Sequence, residues 1–493
     1  MVAKIFIFVN NIYLFLTMRK ISLLKPLLLL PVLALMGCPG NQKEAEPLTP
    51  VESKAYLQET GIEFMESIKA EDHQNLVDLT NFVADEFSGF EIDERYVDKV
   101  SGIYQESVED YAKAPNANVP ASVFELVSLC QEIAQNGQLL TTRATELYTI
   151  EAAFPDLYGS FTPDYQNNVW TYDASVKDRL EVSFQDNQNQ QWIATLKGSK
   201  ETTLLHIKAE SIYEESWYGD VYVYDDHEIY DFKLRVPKEI NFDVTCDGIS
   251  VIKLTVKSNL ALALDLYESY EYYYDGYNSS SEDEVRLTLD YTNLNLDASL
   301  NVNGYETIVK NAVTQKDLTA SSEIKIAGKS LLRVQSAVAV DIDKLVSNVE
   351  DDEFDENNVK SISFEADMMG DVQIKAECPT FKLMFNAIEN VVEAEENDLD
   401  FREFSNRISE LNGTYDIHVY YEGNNTVQAS VELEAYERQG GWNDVKYNDY
   451  RPILVFAADG SQYQFENYFS ESSFSDLIDA FEELVNSFYN LVD

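Results

Sequence analysis

Hydrophobic residues recur at helical spacing between Pro50 and Gly137. Three stripes, in which apolar residues repeat every three or four positions, predict three helices that could form a small bundle. The stripes contain Ile62, Met65 and Ile68, then Leu76, Leu79 and Val83, and then Val123, Leu126, Val127, Cys130, Ile133 and Ala134.

Beyond Leu157 apolar and polar residues alternate, which is typical of β-strands. Leu180–Phe184 and Trp192–Leu196 flank a short polar stretch and predict a β-hairpin. Similar strand–turn–strand units are either internal repeats or coincidences in a hairpin-rich chain. In both cases they must join larger antiparallel sheets, because one hairpin alone is unstable. The units are centred on Gly248 and Gly370, with looser copies at Gly304, Gly328 and Gly423.

Helical spacing returns near the C-terminus, in residues 381–395, 401–411 and 474–488. Helices of this kind are expected to cover one sheet face, so the predicted fold class is α+β. We expect an N-terminal helical bundle followed by an antiparallel β meander or half-barrel-like sheets with covering helices. The predicted regions are helical (51–150), antiparallel β (151–350) and α+β (351–493).

The N-terminus carries basic residues at Arg19 and Lys20, an apolar run, and then Leu35–Cys38. This pattern resembles a bacterial lipoprotein signal peptide. The resemblance implies that residues 1–37 are removed, that Cys38 is lipidated, and that residues 38–50 form a polar tether to the membrane. Met18 is the preferred start codon, with Met1 as the alternative.

Residues 42–44 are similar to the short charged signal that directs lipoproteins of the Bacteroidota to the cell surface. The lipoprotein signal, the hairpin units and the terminal strand (452–456) with its helix together resemble uncharacterised lipoproteins of that phylum. The resemblance implies an outer-membrane lipid anchor, with surface exposure favoured over the periplasmic face. It supplies no catalytic residues, since that family has no known activity.

The chain has 36 lysines and arginines against 87 aspartates and glutamates, and a formal net charge of −51. Removing residues 1–37, which contain basic but no acidic residues, makes the mature chain more negative. Nucleic-acid partners are therefore excluded, because their binding depends on basic contacts. Among the cysteines, Cys130 is expected to be a buried thiol, and Cys246 and Cys378 are a possible disulfide pair.

No catalytic, metal-binding or cofactor-binding motif is present. The four histidines are far apart in sequence, and His227-Glu228 lacks the second histidine of a zinc-protease helix. Gly328-Lys329-Ser330 lacks the earlier glycine of a phosphate-binding loop. The acidic run 351–356 lacks the central glycine of a calcium loop.

Aromatic residues are dense on polar sequence around residues 217–230 and 267–277, next to several aspartates. Aromatic rings beside carboxylates suit sugar binding, by stacking on C–H faces and hydrogen bonding to hydroxyls. The alternative interpretation is ordinary cross-strand packing of strand tyrosines. The candidate ligand-binding residues are Trp217, Tyr218, Tyr222, Tyr224, Tyr272 and Tyr274.

These observations favour a non-enzymatic, lipid-anchored cell-envelope protein with a binding or assembly role at the outer membrane. Two sharper alternatives are a surface lipoprotein that binds glycans and a periplasmic carrier of lipid or lipopeptide. A hydrolase with paired carboxylates is the less favoured alternative. The expected partners are the membrane, through the anchor, and a polysaccharide or a lipid.

Overall fold

The computed structural model describes residues 46–96, 146–149, 158–217, 222–274, 279–342, 344, 356–396, 399–421, 426–440, 445–470 and 474–492. Strands dominate this part of the chain and form one sheet of 17 strands and one of five. The predicted α+β class with large antiparallel sheets is confirmed, and the described strands form no closed barrel.

Helices and strands are numbered in chain order. The helices are α1 (Pro50–Glu66), α2 (Gln74–Glu86), α3 (Phe381–Glu396), α4 (Phe401–Asn412), α5 (Phe465–Tyr468) and α6 (Ser475–Val492). The strands are β1 (Glu91–Ile92), β2 (Glu146–Thr149), β3 (Gly159–Asp164), β4 (Val169–Asp173), β5 (Leu180–Gln185), β6 (Gln191–Gly198), β7 (Thr202–Trp217), β8 (Tyr222–Pro237), β9 (Glu239–Cys246), β10 (Ile249–Asn259), β11 (Leu262–Tyr274), β12 (Ser279–Tyr291), β13 (Asn293–Val302), β14 (Tyr305–Thr314), β15 (Asp317–Ile326), β16 (Lys329–Val340), β17 (Val359–Met368), β18 (Val372–Cys378), β19 (Asp416–Tyr421), β20 (Ala429–Gly440), β21 (Val445–Phe456) and β22 (Gln462–Gln464).

The larger sheet is built mainly from consecutive antiparallel strands. Backbone pairing runs from β1 through β4, β3, β5, β6, β9, β10 and β13, and then in sequence order to β22. The pairs β1–β4 and β3–β5 are parallel. The sheet therefore extends the predicted meander across most of the chain, and it includes strands on both sides of residue 350.

Alternation along the strands gives the larger sheet two different faces. One face, which we call the helix face, presents apolar residues in register, such as Ala366, Ile374 and Val419 on β17, β18 and β19. The other face, which we call the polar face, presents residues such as Glu365 and Lys375. Helices cover much of the helix face, so the main core lies between them and the sheet.

Two-residue turns join several strand pairs at one end of the larger sheet, which we call the glycine end. Both residues of each turn have positive φ, about 49–58° at the first and 80–88° at the glycine. These angles are those of type I′ turns, which match the twist of antiparallel strands. The turns are Asp247-Gly248, Asn303-Gly304, Ala327-Gly328 and Met369-Gly370. The predicted hairpins at these four glycines are confirmed, and Gly423 lies outside the described residues.

The N-terminal segment crosses the sheet along the glycine end. The Leu48 N–H donates to Gln428 Oε1 (2.8 Å), just before β20. Farther along the segment, the Tyr305 hydroxyl on β14 donates to Asp72 Oδ2 (2.7 Å). Leu76 and Leu79 of α2 then pack around Trp192 on β6, and β1 finally pairs with β4. Residues 48–92 therefore connect the last strands of the sheet to the first.

Two further groups of helices lie on the helix face. Helix α6 packs beside α1, and both contribute to the core over β16–β21, with Phe474 and Leu477 buried. Helices α3 and α4 form a second core with the far ends of β17, β18 and β20, around Val391 and Phe404. The three C-terminal helices predicted from periodicity are therefore confirmed, and they cover one sheet face as expected.

The predicted N-terminal helical bundle is not shown. Helices α1 and α2 form where the stripes predicted them, but their apolar residues pack on the sheet, since it offers a larger apolar surface than a small bundle. The third stripe, around Cys130, lies outside the described residues. The possible Cys246–Cys378 pair is not formed: both thiols are free, and they belong to different cores.

Candidate ligand-binding face

Two long hairpins leave the larger sheet at the end opposite the glycine end. Strands β7 and β8 are inserted between β6 and β9, and strands β11 and β12 between β10 and β13. They form the smaller sheet, in the order β12-β11-β7-β8-β2. The central pair, β7 and β11, is parallel, whereas β7–β8 and β11–β12 are antiparallel.

Register brings the aromatic residues of three strands together. Trp217 on β7 pairs with Tyr222 on β8 and with Tyr274 on β11. The next row lies two residues along each strand toward the larger sheet. It contains Tyr224 on β8, Glu215 on β7 and Tyr272 on β11. Directly paired residues share a face, as do residues two apart on one strand. The rows therefore form one surface at the far end of the smaller sheet, which we call the aromatic face.

The next row extends this face with residues that the sequence analysis did not select. Tyr213 pairs with Asp226 on β8 and with Tyr270 on β11, and Tyr270 pairs with Asp283 on β12. The rings of Tyr213 and Tyr270 are stacked, with centroids 5.0 Å apart and an interplanar angle of 17°. The alternation Tyr270-x-Tyr272-x-Tyr274 could have identified Tyr270, since strand residues two apart lie on one face.

Closer to the larger sheet the same face becomes apolar. Leu264 and Leu266 on β11 are buried, and so is Tyr291 at the end of β12. This apolar base stabilises the smaller sheet, because burial of a leucine side chain contributes about 1.5–3 kcal/mol. The aromatic residues near the hairpin ends therefore continue a face whose base is apolar and buried.

The opposite face of the smaller sheet is charged. The Nε2 atom of His227 lies 2.9 Å from Glu210 Oε1, and Lys208 lies on the other side of Glu210. The hydrogen bond from His227 and then that from Lys208 lower the pKa of Glu210. His227 is exposed and lies on a strand, β8, rather than on a helix. Arg286 lies over the ring of Tyr267, 4.4 Å from its centroid.

A row of carboxylates crosses this charged face. Asp225, Glu214, Glu271 and Glu282 pair in succession across β8, β7, β11 and β12. Tyr273 (51% exposed) also lies on this face, between Tyr272 and Tyr274 in sequence. The two faces thus differ in chemistry although their residues alternate along the same strands.

Five of the six predicted ligand-binding residues share the aromatic face: Trp217, Tyr222, Tyr224, Tyr272 and Tyr274. Tyr218 lies outside the described residues, as does the predicted lipidation site, Cys38. Their proximity across three strands arises from the parallel pairing of β7 with β11, which sequence spacing alone does not reveal.

Other sequence features have structural explanations. Gly328 lies in a hairpin turn, and Lys329 and Ser330 begin β16. Within the described ranges, no group of three or more His, Cys, Asp or Glu side chains is arranged to hold a metal ion. Among the same residues, no helix is both long enough and apolar enough to cross a membrane.

Comparison of the chain with protein-family models, with curated proteins and with solved structures found no match.

Proposed function

We propose that this chain is a lipid-anchored cell-envelope protein that binds a polysaccharide through the aromatic face of its smaller sheet. The observation that carries the proposal is the register that places Trp217, Tyr222 and Tyr274 in one row, beside Glu215, Tyr224 and Tyr272 in the next. Flat rings supply stacking surfaces for sugar C–H groups, and carboxylates accept hydrogen bonds from sugar hydroxyls. The proposed role is binding rather than catalysis.

The position of the tether supports this role. The chain enters the folded part at Leu48, which Gln428 holds at the glycine end of the larger sheet. The hairpins that carry the aromatic face leave from the other end. Strands β10 and β11 are joined by only two residues, and together they measure about 80 Å along the chain. If Cys38 carries the anchor, this arrangement keeps the binding face away from the membrane surface.

The test compares neighbouring tyrosines on opposite faces of β11. Y272A and Y274A remove rings from the aromatic face, and Y273A removes one from the charged face. We expect each aromatic-face substitution to weaken retention in affinity electrophoresis roughly two- to tenfold, because an aromatic contact contributes about 0.5–1.5 kcal/mol. Y273A should leave retention unchanged, and W217A should behave like Y272A.

The gels would contain peptidoglycan fragments or surface polysaccharide from the same envelope. Circular dichroism and thermal melting would establish that all variants remain folded. The proposal fails if no polysaccharide retards the wild-type protein, or if Y273A weakens retention as much as Y272A does.

A further inference from the structure

Acidic and basic residues are distributed unequally between the two faces of the smaller sheet. Carboxylates occupy positions on both faces. Within the described strands of this sheet, no lysine, arginine or histidine occupies an aromatic-face position. The basic residues all occupy positions on the charged face: His206, Lys208, His227, Lys233, Arg235 and Arg286. This segregation distinguishes the aromatic face from an acidic surface in general, because the opposite face of the same strands carries both signs of charge.

The acidic positions of the aromatic face lie beside its rings. In the row of the stacked pair Tyr213 and Tyr270, Asp226 on β8 occupies one end and Asp283 on β12 occupies the other. The remaining acidic residues of this face are in the neighbouring rows: Glu215, Glu228 and Glu268. Since no basic residue shares these rows in the described strands, the face combines aromatic rings with negative charge.

We infer, building on the proposed function, that the polysaccharide bound by the aromatic face carries free amino groups, as glucosamine units do. A protonated amine is attracted to an aromatic ring when it lies within about 6 Å of the ring centroid. It also forms ion pairs with nearby carboxylates. The C–H face of the same sugar stacks on a neighbouring ring. The row of Tyr213 and Tyr270, with Asp226 and Asp283 at its ends, offers both kinds of contact.

Other ligand classes match these positions less well. A polysaccharide with uronate or phosphate groups would bring like charges together, and this costs free energy. A neutral polysaccharide stacks on the rings but leaves the carboxylates without a charged partner. A basic peptide matches the charge, but its lysine side chains lose more rotamer freedom on binding than a sugar ring does. The amino sugar is the class that uses both the rings and the charge.

The test compares the hexamer of glucosamine with its fully N-acetylated counterpart, which has the same sugar backbone without the positive charges. Isothermal titration calorimetry would use the full chain carrying C38A at mildly acidic pH, where the amines are protonated. Salt at about 0.15 M screens distant charges. We expect the glucosamine hexamer to bind at least about tenfold more tightly than the acetylated hexamer, because several ion pairs contribute together.

Adjacent carboxylates on opposite faces provide matched variants. D226N and E215Q each remove one negative charge from the aromatic face, whereas D225N and E214Q each remove one from the charged face. We expect each aromatic-face substitution to weaken binding of the glucosamine hexamer roughly two- to fivefold, because an exposed ion pair contributes modestly. Binding of the acetylated hexamer should not change. D225N and E214Q should bind both hexamers like the parent, and thermal melting would establish that all variants remain folded.

The inference is overturned if the acetylated hexamer binds as tightly as the glucosamine hexamer, or if neither binds. It is also overturned if D225N weakens binding as much as D226N, because the attraction would then come from the acidic chain as a whole. Hexalysine that binds as tightly as the glucosamine hexamer, with the same loss in D226N, would identify a basic peptide as the ligand instead.

The proposed function has a separate readout. Retention by an envelope polysaccharide that Y272A weakens and Y273A does not would support it in each of these cases, so the two failures are distinguishable.

Discussion

The four glycine turns use different residues for the same backbone conformation. Asp247 and Asn303 occupy the first turn position in two hairpins, and these residue types tolerate positive φ comparatively well. Ala327 and Met369 occupy it in the other two, with φ of 49° and 58°. Alanine has no side-chain polar group to offset the cost of this conformation, so the β15–β16 turn is strained at Ala327.

Replacing Ala327 with asparagine should therefore stabilise the protein. Ala327 is exposed, and a larger side chain there projects into solvent. We expect A327N to raise the free energy of unfolding by about 0.5–1 kcal/mol, because the left-handed conformation costs alanine about 1–2 kcal/mol and asparagine less. Urea denaturation would measure the change.

The substitution N303A makes the reverse change at the equivalent position of the β13–β14 turn, and its effect on stability is compared with that of A327N. N303A should destabilise by more than A327N stabilises, because Asn303 also donates to Asp72 O (2.8 Å) and to Asn75 Oδ1 (2.7 Å). An unfolding midpoint for A327N at or below that of the wild type would contradict this account. The sequence predicts these turns from their glycines, but it does not reveal which preceding residues are strained.

At the scale of elements, the short segment after α2 pairs with β4 through its backbone, and one carboxylate adds side-chain hydrogen bonds to this attachment. Asp93, which follows β1, accepts a bidentate hydrogen bond from Arg95 and one from the backbone N–H of Tyr172 on β4. The interaction with Arg95, and then that with Tyr172, hold the pKa of Asp93 well below its usual range.

Because the folded-state pKa of Asp93 is depressed, its contribution to stability is present above the unfolded-state pKa, about 3.9, and is lost as the pH falls below it. D93N should therefore destabilise the protein most at neutral pH. The difference in urea midpoint between D93N and the wild type should shrink below about pH 4. The control D178N removes an exposed carboxylate paired with Arg179 and should change the midpoint little at either pH. A pH-independent difference for D93N would contradict the assignment.

Local sequence patterns predicted where helices and strands form better than they predicted which elements pack or pair with each other. The alternation in residues 180–196 predicted β5, β6 and their turn, since a hairpin is determined by neighbouring residues. The stripe with Leu76 and Leu79 predicted a helix, but an apolar stripe does not specify whether it packs on helices or on a sheet. The parallel pairing of β7 with β11 joins residues more than fifty positions apart, and no local signal indicates it.

At the scale of the whole molecule, the fold places the proposed binding face far from the side where the described chain begins. Leu48 lies at the glycine end, and the aromatic face lies on hairpins inserted at the other end. The sequence analysis predicted the aromatic residues, but only the topology shows that they lie at the end opposite the one where Leu48 contacts Gln428. The proposed arrangement depends on Cys38 being the attachment point.

Substituting this cysteine tests the anchor directly. C38A should move the protein from the membrane fraction to the soluble fraction and abolish incorporation of labelled palmitate, because Cys38 is the proposed site of lipid attachment. Thermal melting of the soluble variant should match that of the detergent-extracted wild type, since the described cores are built from residues from Leu48 onward. Membrane association that persists in C38A would show that another feature holds the protein at the envelope.

The crossing of the sheet by the N-terminal segment has a consequence for synthesis. The hydrogen bond between Leu48 and Gln428 joins residues 380 positions apart, and Ser53 on α1 hydrogen-bonds to Tyr421 on β19. Loop-closure entropy makes contacts of this separation slow to form. Residues 48–53 must therefore wait for partners that are synthesised more than 360 positions later. Until then the apolar side of α1 has no surface to cover, and exposed apolar surface of this kind favours aggregation.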